Sequence, residues 1–407
     1  MSDIRFLVVG GGAAGFFAAI RCASLSSQAS VTILEKSSAF LTKVRISGGG
    51  RCNVTHALFE PRQFVHRYPR GAKALIGAFQ SFSARHTVEW FQQRGVLLKT
   101  EKDGRMFPAT DSSQTVIDCL MEEAKKLRIQ LACNREVKEI SRTGGQFSIQ
   151  LSDGTFLPPF SRVLLGTGGC RTLSLGHLPV SLGHTLEDPV PSLFTFHVDS
   201  PWVKSLSGVA IEAEVQVPAT GLKESGPVLF THWGFSGPAI LKLSAWGARE
   251  FHRLNYTFPL LVNWAPKFHL EQIAQVFDQN RRSQPAKMIT NCPSFGIPSR
   301  LWEKLCLHSG LKEGLRWSEL SRTSQHQLAQ AISRSEFNVT GKSLNKDEFV
   351  TCGGVRLSEV DFKTMESKIC PGLFLAGELL DIDGITGGFN FQAAWTTGWL
   401  AGTAMAK

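Results

Sequence analysis

The stretch IRFLVVGGGAAGFFAAIRCASL at residues 4–25, followed by VTILE at 31–35, decides the fold of this chain. Residues 4–9 form a short apolar run with the length and composition of a buried parallel strand. Gly10, Gly12 and Gly15 follow in GxGxxG spacing, and the alanine-rich segment to about Leu25 reads as a helix. The second run ends in Glu35, twenty residues after the last glycine. Each part has a task. Gly10 permits a tight turn, Gly12 lets a pyrophosphate approach the backbone, and Gly15 lets helix and strand pack closely. The first helical turn, at Ala13 and Ala14, offers free N–H groups to phosphate oxygens. Glu35 suits the ribose hydroxyls of an adenosine. GxGxxG alone is weak, but strand, glycines, helix, strand and acid together specify a dinucleotide unit.

That unit does not separate FAD from NAD, and the rest of the chain decides. The strand-like run Arg162–Leu165 leads into Gly166-Thr167-Gly168-Gly169, a second glycine turn. Near the C-terminus, GLFLAGELLDIDG (372–384) places a strand before Gly377-Glu378, where an acid suits a ribityl hydroxyl. The segment 385–406 reads as a helix after Asn390, and its N-terminus favours the negative charge of a reduced flavin. Nicotinamide needs none of this, so the expected cofactor is non-covalent FAD. Asp381-x-Asp383-Gly lacks the remainder of a calcium loop, and no metal is expected. No second complete GxGxxG-plus-acid unit exists, so NAD(P)H is expected only as a transient reductant.

The 407 residues are 43% hydrophobic and 19% charged, a balance that excludes a disordered or fibrous chain. No run approaches a membrane span, and nine cysteines without a CxxC pair point to a reducing cytoplasm. The net charge is +10. Residues 1–187 carry 23 basic and 14 acidic side chains, 188–336 carry 15 and 12, and 337–407 carry 6 and 8. The excess is densest from Lys43 to Lys73, where Lys43, Arg45, Arg51, Arg62, Arg67, Arg70 and Lys73 face only Glu60. Such a field attracts polyanions, or it is a solvated face with counterions.

Longer motifs carry a resemblance. GGGRCNVTH (48–56), DGRMFPATDSSQTVIDCL (103–120), LFTHWGFSGPAILKLS (229–244), CGGV (352–355), TMESK (364–368) and GELLDIDGITGGFNFQ (377–392) run nearly end to end. In these the chain resembles the flavoprotein family of the aminoacetone oxidases, the bile-acid-inducible-operon flavoprotein and the ribosomal-RNA dihydrouridine synthases. His56 replaces the family's usual Asn. After Gly169 the usual GxTGxGY stretch is missing, although Gly183-His184 stands where expected.

The resemblance implies an α/β fold: a Rossmann-like FAD-binding domain of the two-dinucleotide-binding-domain type, interrupted by an inserted β-barrel-like plus small helical module. The cofactor domain is expected at 1–187 and 337–407, with the insert at 188–336. Within the insert, 188–265 reads as β-rich and 266–336 as helical. Further FAD contacts are expected at Lys36, Lys43, Ser47, Gly48, Gly49, Arg51, Cys52, Asn53 and Val137. On the C-terminal side they are Thr167, Gly168, Gly377, Glu378, Asp383, Gly387, Gly388, Asn390 and Phe391.

Two residues are candidates for catalysis. Cys52 would donate a proton to a substrate carbon, or pack against the flavin. His232 would face the flavin from the insert, or be structural. Glu366 reads as a base or a turn contact. Three functions follow: reduction of uridine in ribosomal RNA, or its precursor, bound through Lys43 to Lys73; oxidation or reduction of an amino ketone or enone; and flavin-containing RNA binding without turnover.

Overall fold

The computed structural model describes residues 4–170, 176–343 and 350–407. Residues 171–175, part of the departing loop after Gly169, lie outside the described residues. The chain divides into two units: Met1–Ser192 with Asn345–Lys407, and Leu193–Leu344.

The first unit is built on a seven-stranded sheet. Five of its strands run parallel, in the order Leu373–Leu375, Arg162–Leu165, Arg5–Val9, Ser30–Leu34 and Gln130–Ala132. The apolar runs read from the sequence are these strands, with Leu7, Val8, Ile33, Val163, Leu164 and Leu165 fully buried. Burial on both faces is what such continuous runs require. The register places Leu375, Leu165, Val9, Leu34 and Ala132 in one row at the carboxyl ends. The residues that follow this row are therefore neighbours along one edge.

The helix Ala13–Leu25 leaves that edge and packs against the C-terminal helix Phe389–Met405. The approach is close because Gly398 and Gly402 carry no side chain. A Cβ at Gly398 would stand 2.4 Å from the Ala14 carbonyl oxygen, and one at Gly402 would stand 2.3 Å from that of Ala18. The four-residue spacing matches on both helices, so the two backbones are keyed together one turn apart.

The second unit contains a closed six-stranded barrel: Phe196–Val198, Gly234–Ser236, Leu222–Thr231, Ala210–Val217, Phe258–Asn263 and Ser335–Lys342. Its interior holds Phe196, Phe230, Phe235, Phe258, Trp264 and Phe337, in edge-on and stacked contacts. Helices Leu270–Ser283, Ser299–His308 and Arg322–Ser333 lie between the last two strands in sequence, around buried Phe277, Trp302 and Trp317.

The expected boundaries shift by several residues. FNVTGK at 337–342 reads as the return to the cofactor domain, but strand Ser335–Lys342 pairs with Phe258–Asn263 and with Phe196–Val198. It closes the barrel. Conversely, residues 188–192 belong to strand Leu186–Ser192, which pairs with Val350–Val355 in the first unit. Local composition reveals a strand but not its partner.

Candidate cofactor site

Gly10, Glu35, Gly166 and Ala376 each follow a member of the carboxyl-end row. Open α/β sheets bind ligands at this edge. The three motif glycines have different causes. Gly10 has φ 110°, and a Cβ there would stand 2.3 Å from the Gly166 carbonyl oxygen. A Cβ at Gly15 would stand 2.0 Å from the Gly10 carbonyl oxygen. These two are required by the protein's own packing. Gly12 is not: its φ of −93° and ψ of −169° suit any residue, and its Cβ would meet nothing within 4 Å. The chain keeps a glycine where its own atoms demand none, which leaves room for a partner at the helix start. That helix has no side-chain cap and no acid in its first turn. Its free N–H groups thus point to an anion.

Glu35 is held in place. One carboxylate oxygen accepts the Gly11 N–H at 2.8 Å, and the other accepts the Ser37 N–H at 2.9 Å and its hydroxyl at 2.8 Å. A carboxylate has about four acceptor positions, so one remains for a ribose hydroxyl. Lys36 beside it is exposed, and Val137 is buried at the start of strand Val137–Thr143. At the second glycine turn Thr167 is exposed, and Gly168 has φ 78° with nothing near its Cβ position.

The loop Ser47–Asn53 is bent by left-handed residues: Gly48 at φ 59°, Gly49 at 69°, Gly50 at 85° and Cys52 at 61°. The Ser47 hydroxyl caps the preceding turn by donating to Val44 O at 3.0 Å. One expectation needs correction here. Cys52 is 0% exposed, and burial pushes its thiol up to about 12. It has no open face even without a ligand, so this structure places it as packing beneath the loop. Arg51, expected among the FAD contacts, pairs with Glu101 at 2.7 Å and Asp111 at 3.6 Å, and its guanidinium stacks 4.0 Å from the Phe107 ring centroid. Its charge is shared with two partly exposed protein acids.

The C-terminal segment is tied by side chains distant in sequence. Glu378 accepts the Thr351 N–H at 3.0 Å and pairs with Lys43 at 2.5 Å, joining two predicted cofactor residues. Gly377, at φ 73°, donates its N–H to the buried Thr397 hydroxyl at 2.9 Å. Asn390 clamps the turn, with Gly384 N–H on its oxygen at 2.8 Å and its amide on Gly384 O at 2.9 Å. Asn53, oriented to satisfy both ends, accepts the Gly388 N–H at 2.9 Å and donates to Thr55 O at 3.1 Å. Gly387 and Gly388 have φ 130° and 91°, and the helix they precede has no side-chain cap. Phe391 stacks on Trp395 at 5.6 Å. Asp383 is the second correction. It is 0% exposed, paired with Arg70 and bonded by the Ser192 hydroxyl at 2.7 Å, so it is a buried structural acid rather than a cofactor contact.

Other candidates fall into place. His232 is exposed on a hairpin of the barrel unit. Glu366 accepts the Gly372 N–H at 2.8 Å, a turn contact. His184 lies between Glu359 at 3.0 Å and Ser367 at 2.8 Å. The Ser367 oxygen also accepts the N–H groups of Ile369 and Cys370, so this buried group fastens segments together. Thr351 and Thr397 carry no motif of their own and were not foreseen; only their position opposite Gly377-Glu378 shows their part. Among the described residues no group of His, Cys, Asp and Glu could hold a metal, and no helix is long and apolar enough to cross a membrane.

The basic run also divides. Lys43, Arg51 and Arg70 are in ion pairs, and Arg45 donates to Gln114 at 2.7 Å. Arg62, Arg67 and Lys73 are exposed and carry no ion pair among the described residues.

Residues 4–404 match the model of the HI0933-like protein Rossmann domain. The chain belongs to this family. Similar curated proteins span its length. The 3-dehydro-bile acid delta(4,6)-reductase of Clostridium scindens is 30% identical over 99% of both chains. The ribosomal RNA dihydrouridine synthase of Escherichia coli K12 is 28% identical over 98% of this chain and 97% of its own. Among solved structures, the 3-ketosteroid-delta4-(5alpha)-dehydrogenase of Rhodococcus jostii has a TM-score of 0.54 at 15% identity, over 100% of this chain and 97% of its own. That likeness concerns the fold alone, a Rossmann-like α/β fold. This HI0933-like chain is an FAD-dependent oxidoreductase. The space at Gly12, the free helix start and the anchored Glu35 fit that cofactor.

Proposed function

We propose that this oxidoreductase reduces a uridine ring in ribosomal RNA to dihydrouridine. The reaction saturates a ring carbon–carbon double bond conjugated to a carbonyl, adding a hydride at one carbon and a proton at the other. Bound FAD supplies the two-electron hydride chemistry. The chain's own task is to hold and orient. The N-terminus of Ala13–Leu25 would hold the pyrophosphate, Glu35 the adenosine ribose, and the uncapped start of Phe389–Met405 would favour negative charge on the ring. Lys43 and Thr351 hold Glu378 in one orientation beside Gly377. NAD(P)H is the reductant in this reading, arriving transiently because the sequence has no second dinucleotide unit.

The observation that carries the RNA reading is the trio Arg62, Arg67 and Lys73, exposed and without acidic partners among the described residues. Unneutralised cations on one short stretch suit a polyanion. The testing experiment measures dihydrouridine in ribosomal RNA from cells with and without the gene. One site lost on deletion, and restored by purified yellow protein with NADPH, is the expected result. An unchanged profile sinks it.

A second reading is the same chemistry on a polycyclic enone. The 30% identity to the bile acid reductase over 99% of both chains favours it. It predicts NADPH-dependent reduction of a steroid dienone by purified protein and an unaltered RNA profile.

A further inference from the structure

The hairpin joining strands Leu222–Thr231 and Gly234–Ser236 carries Trp233, which is 63% exposed. Its ring lies nearly parallel to that of His197, with centroids 5.9 Å apart and an interplanar angle of 14°. The backbone of the turn beneath it is fixed as well. The Thr231 hydroxyl oxygen accepts the Trp233 N–H at 3.3 Å and donates to Gly234 O at 3.1 Å. The Trp233 carbonyl accepts the Val198 N–H at 2.9 Å. Gly234 has φ 144°, and a Cβ there would stand 2.3 Å from the Phe196 carbonyl oxygen, so the turn is pressed onto the neighbouring strand.

A large exposed indole is unfavourable in water, and here its orientation is set before any partner arrives. Stacking a flat ring on it therefore costs little further side-chain entropy. The surroundings describe the partner. A protein-docking face needs a contiguous apolar patch. The indole is instead flanked by Thr231, His232 and His197, and the other exposed large apolar side chains described in this unit, Leu270 and Met288, belong to its helical segment. One flat face with polar flanks fits one planar polar ring.

We propose that Trp233, braced by His197, is a stacking site for one unpaired base of the RNA substrate. This rests on the RNA reading given above. Base stacking on an aromatic side chain is sequence-tolerant and adds affinity without neutralising a phosphate. Its contribution therefore adds to that of the cations Arg62, Arg67 and Lys73, with a different dependence on salt.

The test uses the full-length FAD-loaded protein, a fluorescent single-stranded oligouridylate, and an abasic oligomer with the same number of phosphates. Trp233→Ala is expected to weaken oligouridylate binding roughly 10-fold, with Trp233→Phe recovering most of it. The slope of log affinity against log salt stays the same in all three proteins, and the abasic oligomer binds wild type and Trp233→Ala equally. Wild-type binding of oligouridylate that is unaffected by Trp233→Ala overturns the stacking site alone. An equal loss on the abasic oligomer, or a shallower salt slope, overturns it too. If wild type binds neither oligomer, the RNA reading and the stacking site fall together.

Discussion

Arg70 grips Asp383 through Nε on one carboxylate oxygen and Nη2 on the other, while the two backbones pair as an isolated antiparallel bridge. Burial pushes the Asp383 carboxyl up, against the pull of Arg70 and Ser192. Removing the cation leaves burial less opposed, so the carboxyl rises further. Arg70→Ala should destabilise the fold by about 3–5 kcal/mol near neutral pH. The sign with pH follows: the penalty belongs to the charged carboxylate, so it is present above the raised pKa and shrinks as pH falls through it. Urea midpoints across pH check this, and a penalty independent of pH would contradict it.

Gly12 and Gly15 separate binding from folding. Gly12→Ala puts its Cβ into open space, so the apo-protein should unfold within about 0.5 kcal/mol of wild type. FAD affinity should nevertheless fall about 10-fold or more, as lost charge-assisted hydrogen bonds are worth about 1.5–3 kcal/mol each. Gly15→Ala drives its Cβ into the Gly10 carbonyl, with an overpacking cost of about 1–3 kcal/mol. Thermal melting of the apo-proteins and titration with FAD measure the two effects.

Charge reversal at Arg62, Arg67 and Lys73 together should weaken RNA binding without altering flavin content or melting. If each meets one phosphate of a single strand, the salt slope drops by about 0.7 per site. Reversal at Arg70 is no equivalent probe, because that residue's loss acts on the fold.

The Cys52 thiol, raised to about 12 and sealed from solvent, should resist alkylation near neutral pH in the native protein and react once unfolded. Cys52→Ala should stay yellow and turn over within a few-fold of wild type. A large loss of turnover with flavin retained would restore the thiol as a proton donor.

What is legible in the sequence depends on how far apart along the chain the interacting residues lie. The strand, glycine turn and helix from Arg5 to Leu25 were legible because each rests on neighbours in the chain, where period and turn chemistry act. The same holds for Glu35 and for the helix after Asn390. Arg70 and Asp383 were misread, one as a surface cation and the other as a cofactor contact. Their meaning is each other, and they lie 313 positions apart. The partners of Arg51 were equally hidden, since Glu101 and Asp111 meet it only after the strand Arg105–Pro108 pairs with Thr55–His56. Strand Ser335–Lys342 was visible as a strand, but its place in the barrel depends on residues more than 70 positions earlier. Residue type and spacing report local geometry; long-range pairing is decided by packing.

The barrel's opening strand Phe196–Val198 and closing strand Ser335–Lys342 are hydrogen-bonded to each other, with Phe196 opposite Lys342. The module's two connections therefore start side by side, whatever its size. Loop-closure entropy for the surrounding chain is then that of a short connection, because the module's own ladder holds the ends. In genetic terms it is a cassette: recombination could exchange it, or replace it with a brief turn, while leaving the dinucleotide sheet its wiring. One contiguous block of coding sequence therefore holds the whole barrel module, and the dinucleotide sheet is encoded on either side of it.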